Sequence, residues 1–183
     1  MSTIVAVVVV VVVGMVGMAV SAAYGGLVAT YRGRLRKDEL DRAIADLDEA
    51  IRSDPKNANA YNDRGNSYSN KGSFDRAIAD YGEAIRLDPT LANAHSNRGL
   101  AYYSKDDFAR ASADFDEAIR LDPKVANFYS NRSLLYEGED DRGMADFEKA
   151  MQLDPKIDCN EPMLLGSNDE VIPLDPIRKP TSR

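Results

Sequence analysis

Along residues 74–85 the apolar side chains fall at Phe74, Ala77, Ile78, Tyr81, Ala84 and Ile85, three and four positions apart, as on one buried stripe of an α-helix. Tyr61, Gly65 and Tyr68 mark a first helix one segment earlier. Between the two, "NKGS" at 70–73 breaks the pattern, and Asp88-Pro89 closes it, because a residue before proline is steered away from helical torsions. Residues 58–91 therefore read as a helical hairpin. The line "ADYGEAIRLDP" (79–89) then returns as "ADFDEAIRLDP" (113–123), with near-copies at 45–55 and 145–155. Pro55, Pro89 and Pro123 stand 34 residues apart, and Pro123 and Pro155 only 32. A single hairpin cannot bury its own stripe, whereas stacked neighbours can, and about three are needed for stability.

The 58–91 unit carries Tyr61, Arg64-Gly65, Tyr68, Ala77, Tyr81, Ala84 and Pro89, and the 92–125 unit carries His95, Arg98-Gly99, Tyr102, Ala111, Phe115, Ala118 and Pro123. This order of residues resembles the tetratricopeptide repeat family. The resemblance covers about residues 38–157 and implies an all-α fold, a short right-handed superhelix of helix-turn-helix repeats. It comprises a partial repeat at 38–57 (its second helix), two units at 58–91 and 92–125, and a degenerate unit at 126–157. The last unit holds Tyr129, Arg132-Ser133, Tyr136, Gly143, Phe147, Ala150 and Pro155. Its two missing residues fall in "YEGEDDRGMAD", where the earlier units have Phe74 and Phe108. A shortened inter-helix turn and weaker packing are expected there, since an aromatic is lost and glycine disfavours helix interiors.

Ahead of the repeats the pattern changes. Residues 1–31 contain no charged side chain, and Ile4 to Val20 form seventeen consecutive apolar positions. Arg32, Arg34, Arg36 and Lys37 follow as a basic collar at 32–37. With its flanks the run is long enough to span a bilayer, and cations placed after it put the repeats on the cytoplasmic side. The leader is thus expected to be an N-terminal hydrophobic helix anchoring a single-pass membrane protein. The alternative is a cleaved signal peptide, because "VSAA" at 20–23 supplies small residues, although no basic segment precedes the run. The repeats would then be periplasmic or secreted. Gly17, Ser21, Gly25 and Ala29 lie four apart; they either form a ridge for self-association into a homo-oligomer or simply mark the membrane boundary.

Net charge narrows the partners. The chain of 183 residues carries −7, and setting aside the four cations of the collar leaves −11 after Lys37. Without Lys/Arg clusters such a body cannot neutralise phosphates, which excludes nucleic-acid binding. The lone Cys159 forms no intramolecular disulfide and lacks zinc-site spacing. His95, the only histidine, sits where other units have Tyr61 and Tyr129 and reads as a packing residue. No Gly-x-Ser-x-Gly elbow, Walker loop, dinucleotide fingerprint or calcium loop is present, so neither enzymatic activity nor a metal or cofactor is expected.

Two polar ladders run in register. Arg64, Arg98 and Arg132 recur in the first helices, and Asp46, Asp80, Asp114 and Asp146 in the second. Bidentate Arg-Asp pairs between packed helices are expected from them. The other ladder is Asn59, Asn62, Asn66; Asn93, Ser96, Asn97; Asn127, Ser130, Asn131. In the resembled family the first helices line a concave groove for extended peptides or partner helices. The resemblance therefore implies a protein-binding groove of Asn59, Asn62, Asn66, Asn93, Asn97, Asn127 and Asn131, with an apolar patch of Leu100, Leu134 and Tyr103. Asparagine can both donate to and accept from a peptide main chain; without a partner the same positions read as a solvent face. Some family members clamp an acidic carboxyl-terminal peptide with asparagines and cations. Asn66 and Asn97 match those asparagines, but Asn62, Asn127 and Asn131 stand where cations would be, which counts against a terminal carboxylate.

After Pro155 the stripe stops, and the tail at 158–183 carries four prolines and no helical periodicity. It is expected to be irregular, with Met163, Leu164 and Leu165 as a candidate cap over the last hairpin, or else disordered, leaving the exposed end of the repeats for a partner or a second copy. The function these readings imply is a noncatalytic, membrane-tethered adaptor that binds an unidentified protein or peptide in its groove, or, with the leader cleaved, a soluble periplasmic or secreted binding module.

Overall fold

Four Asp-Pro pairs set the rhythm of the chain. The computed structural model describes residues 37–136, 141–157, 163–166 and 171–173. At each pair a carboxylate oxygen of Asp54, Asp88, Asp122 or Asp154 accepts a hydrogen bond from the backbone N–H two residues on, at 2.9–3.0 Å. This Asx turn satisfies the chain as it leaves each helix. The helices so punctuated are α1, described over 37–53, then α2 (Ala58–Asn70), α3 (Phe74–Leu87), α4 (Ala92–Tyr103), α5 (Phe108–Leu121), α6 (Ala126–Ser133) and α7 (Asp141–Leu153). Helices α2 and α3, α4 and α5, and α6 and α7 pack as hairpins, and α3 stacks on α4 as α5 does on α6. The chain divides into two units, 1–41 and 42–183, and this stack belongs to the second. The hydrophobic leader at 1–31 and the collar up to Arg36 lie outside the described residues. Among the described residues no helix is long and apolar enough to cross a membrane.

Inside a hairpin the turn and the helix contact are both steric matters. Gly72 and Asp106, 34 residues apart, turn the chain with φ of 71° and 60°, a region open to glycine and tolerated by short polar residues. Asp107 then caps α5 by accepting from Arg110 N–H at 3.2 Å. A Cβ on Gly65 would stand 2.6 Å from Tyr81 Cε1, and one on Gly99 2.7 Å from Phe115 Cε1. Only glycine lets these two rings seat, and both are fully buried.

The third hairpin departs as its shorter repeat foretells. Helix α6 has 8 residues against 13 in α2. Ser133 holds the place of Gly65 and Gly99, and Phe147, the counterpart of the two seated rings, stays 38% exposed beside the exposed Met144 and Met151. Gly143 has a steric role beside its low helix propensity: Tyr136 lies against α7, where a Cβ on Gly143 would stand 2.9 Å from Tyr136 Cβ, so glycine is what this contact admits.

The Arg-Asp ladder forms within each hairpin. Arg64 grips Asp80 through Nε (2.8 Å) and Nη2 (2.6 Å), Arg98 grips Asp114 at 2.8 Å through both, and Arg132 grips Asp146 at 2.8 and 2.7 Å. The two-residue deletion leaves the last pair intact. Asp46 is exposed, and the first-helix position opposite it lies outside the described residues; the reach to the preceding repeat goes to Asp48 from Arg64 Nη1 (2.7 Å) and to Asp116 from Arg132 Nη1 (2.5 Å). Asp48 and Asp116 alternate along the sequence with Gly82, and a Cβ there would lie 4.0 Å from Arg98 Nη1. Gly82→Asp is therefore expected to supply the missing inter-repeat pair and remove a helix-interior glycine. The combined gain is about 1 kcal/mol, read as a melting temperature about 3 °C higher; no rise would mean Arg98 does not reach across.

Two short stretches of the tail, 163–166 and 171–173, are described. Met163–Leu165 (β1) and Val171–Pro173 (β2) pair antiparallel, with Leu164 opposite Ile172. The segment read as irregular thus contains a short hairpin, and β1 lies along α4 rather than over the end of the last repeat.

Candidate peptide-binding groove

The first helices carry a polar face that is not solvated. Asn62, Asn97, Asn131 and Ser96 are completely buried, with Asn66 at 2% exposure. Burying an amide without partners is costly, so each must be answered, and much of the answer comes from β1. Asn97 Oδ1 accepts from Leu165 N–H at 2.9 Å, while Asn97 Nδ2 donates to Leu165 O at 2.7 Å. A side-chain amide thereby pairs with both main-chain groups of one residue, as a neighbouring strand would. Asn62 Nδ2 and Asn66 Nδ2 converge on the same carbonyl at 3.2 and 3.1 Å, and Asn93 Nδ2 donates to Gly166 O at 3.1 Å.

The orientations of these amides are built from behind. Tyr81 hydroxyl donates to Asn66 Oδ1 at 2.9 Å, which turns Asn66 Nδ2 toward the groove. Burial pushes the Tyr81 phenol well above its ordinary range, so it remains a donor. Asn97 Nδ2 also lies 3.0 Å from Asn62 Oδ1 and Asn66 Oδ1, and Asn131 Nδ2 donates to Ser96 Oγ at 3.2 Å. A steric chain thus runs from Gly65, which admits the Tyr81 ring, through Tyr81 and Asn66 to the carbonyl of Leu165.

One repeat later the same two places are apolar. Phe115 replaces Tyr81 and Leu100 replaces Asn66, and there Leu164 joins Leu100, Ala111 and Phe115 in a buried cluster flanked by Tyr103, Leu134 and Leu135. Leu165 joins Ala118 and Phe128 in another. Successive side chains of a strand point to opposite sides, so two adjacent leucines can enter two different clusters. The 58–91 and 92–125 repeats together hold the main chain, and the 92–125 repeat with Phe128 of the next holds the side chains.

Of the predicted groove residues, Asn62, Asn66, Asn93, Asn97 and Leu100 converge on β1. Tyr103 flanks the Leu164 cluster and stacks with Phe108 at 5.7 Å between centroids. Asn131 supports from one layer back, Asn127 is buried at the start of α6, and Asn59 is exposed and apart from the segment. Ser96 and Tyr81 were not among the predicted site residues. Ser96 stood in the ladder, whereas Tyr81 looked like a core aromatic, and its hydroxyl was the signal to read. His95 Nε2 lies 3.4 Å from Pro89 O, as Tyr129 hydroxyl donates to Pro123 O at 3.2 Å, so both occupy the same repeat junction.

Comparison with known proteins gives the groove its context. A family model described as a TPR repeat matches residues 35–72 and 65–106, and one described as a tetratricopeptide repeat matches 92–125. No curated protein is a significant match. Among solved structures, MamA is 27% identical with a TM-score of 0.57, covering 64% of this chain and 70% of that one. The first TPR domain of Spaghetti (RPAP3), bound to the HSP90 peptide SRMEEVD, is 27% identical with a TM-score of 0.53, covering 56% and 82%. The OM64 TPR domain of Arabidopsis is 26% identical with a TM-score of 0.54, covering 56% and 86%.

Proposed function

We propose that this chain, which belongs to the tetratricopeptide repeat family, is a noncatalytic interaction module that holds an extended protein segment by its main chain in the groove of α2, α4 and α6. The grip on Leu165 carries this reading: Asn97 takes both main-chain groups while Asn62 and Asn66 share the carbonyl. Main-chain pairing supplies affinity that does not depend on the ligand's side chains, and the flanking clusters supply preference. The Spaghetti domain holds an acidic peptide. Here Asn62, Asn127 and Asn131 replace cations and the residues gripped are uncharged, which favours an internal, uncharged segment over a terminal carboxylate.

The test is binding of the full chain to an array of overlapping peptides. Asn97→Ala is expected to weaken captured peptides about tenfold or more, since two charge-neutral hydrogen bonds are lost at about 1 kcal/mol each. Asn59→Ala, outside the grip, is expected to leave them unchanged. Equal capture by wild type and Asn97→Ala would remove the groove from the reading.

The apolar leader with its basic collar supports tethering to a membrane with the repeats on the cytoplasmic side. A second reading, a released periplasmic or secreted binding protein, is favoured by the small residues at 20–23. Intact mass and carbonate extraction separate them: a full-length, carbonate-resistant chain supports the tether, and a soluble chain beginning near Ala22 supports release.

A further inference from the structure

The residues that would receive a ligand are already occupied by this chain's own strand. We propose that the β1–β2 hairpin is an internal competitor and template: the groove's external ligand is an extended protein segment with two adjacent aliphatic residues followed by a small one, and it binds by displacing β1. This rests on the groove reading above and adds both the ligand's chemistry and the control of access.

The chemistry is read from the occupant. Leu164-Leu165-Gly166 presents one side chain to the Leu100–Phe115 cluster, the next to the Ala118–Phe128 cluster, and a bare carbonyl at Gly166 to Asn93. The groove atoms that touch it are amides and hydrocarbon, so a charged residue in place of either leucine would be desolvated without a partner. The completely buried amides of Asn62 and Asn97 are answered by Leu165 O. An emptied groove would exchange the bonds to Leu165 for water, leaving Asn97 Nδ2 its bonds to Asn62 and Asn66 and Asn62 Nδ2 its bond to Asp63, and would bare the apolar clusters, so exchange for a segment of like chemistry is favoured over simple opening.

The hold is also of a displaceable kind. Each strand has three residues, and a two-stranded hairpin has marginal stability on its own. The helices hold it principally through β1 against α4, while β2 pairs with β1. Since α7 ends at Leu153 and β1 begins at Met163, the tether is short, which sets a local concentration of the order of millimolar. An incoming peptide must overcome that concentration, and its apparent affinity is reduced by the fraction of grooves left open.

The experiment uses the full chain and a fluorescein-labelled peptide copying residues 162–174, read by fluorescence polarisation. Leu164→Asp with Leu165→Asp in the chain is expected to strengthen peptide binding about tenfold or more over wild type, and adding Asn97→Ala is expected to reverse the gain. Because both leucines also join core clusters, a second form carries a protease site inserted after Ile157. Cutting the folded protein makes the hairpin a dilutable ligand without removing any residue, and the same gain is expected. Equal peptide affinity before and after cutting overturns internal competition. Tight binding of unrelated extended peptides with no preference for the aliphatic pair overturns the template while leaving the groove reading intact. Loss of binding to every peptide in every form removes both. A wild-type dimer that separates into monomers on cutting would also overturn the proposal, by showing that the hairpin serves a second copy.

Discussion

Asp114→Arg is expected to lower the melting temperature of the full chain by about 10 °C, because breaking a largely buried ion pair costs about 3 kcal/mol. Asp114 accepts two hydrogen bonds from Arg98 at 2.8 Å, with His95 Nδ1 3.6 Å away. The reversal leaves two guanidiniums facing each other at the contact between α4 and α5, in the central hairpin. Burial by itself would raise the Asp114 carboxyl, but the bond from Arg98 and the neighbouring His95 hold it below the ordinary carboxylate value. A carboxylate depressed in the folded state contributes fully above about pH 4 and loses its contribution as pH falls through the depressed value. The wild type should therefore lose melting temperature on acidification below about pH 4, and Asp114→Arg should lack that part of the loss. Parallel acid curves for the two proteins, followed by circular dichroism, would show that the pair is not what holds α4 to α5.

Gly99→Ala is expected to cost about 2 kcal/mol despite alanine's higher helix propensity, with a melting temperature lower by about 6 °C. Its Cβ would meet Phe115 Cε1 at 2.7 Å and Cδ1 at 2.9 Å, with the backbone carbonyl of Ala111 at 3.2 Å behind. The ring cannot retreat, because Phe115 is fully buried in the cluster that takes Leu164. The substitution should thus also loosen β1 and expose Leu165 N–H to hydrogen exchange. A merely local adjustment of the ring would leave both the melting temperature and that exchange rate unaltered.

Much of the scaffold was legible because it is local. The spacing of Phe74, Ala77, Ile78, Tyr81, Ala84 and Ile85 is the geometry of a helix turn written into one dimension. Arg64 and Arg98 stand 16 residues before Asp80 and Asp114, and Arg132 stands 14 before Asp146, so those rungs could be read from repetition once the two-residue deletion is allowed for. Asp48 could not be told from Asp46, since both recur on the same helix and only the packing angle decides which one faces the next arginine. Gly143 shows a similar limit: its low helix propensity is read from sequence, whereas the approach of Tyr136 that it admits is not.

The groove divides along the same line. That the first helices carry a polar face was evident, with Asn59, Asn93 and Asn127, and Asn97 and Asn131, recurring at 34-residue intervals, and five of the nine predicted site residues converge on one strand. That the strand comes from residue 163 onward was not evident, because three residues without helical period carry almost no information about where they dock.

Repetition alone determined the helical hairpins, their number and the polar ladders, since a helix's buried stripe is set by neighbours three and four positions away. The tertiary structure alone decided that Asn59 lies apart from Asn62, Asn66 and Asn97, that Tyr81 aims one of them, and that Leu164 and Leu165 fill the groove. The bonds to Leu165 join residues 68 to 103 positions apart, and at such separations only the stacking of the repeats brings donor and acceptor together.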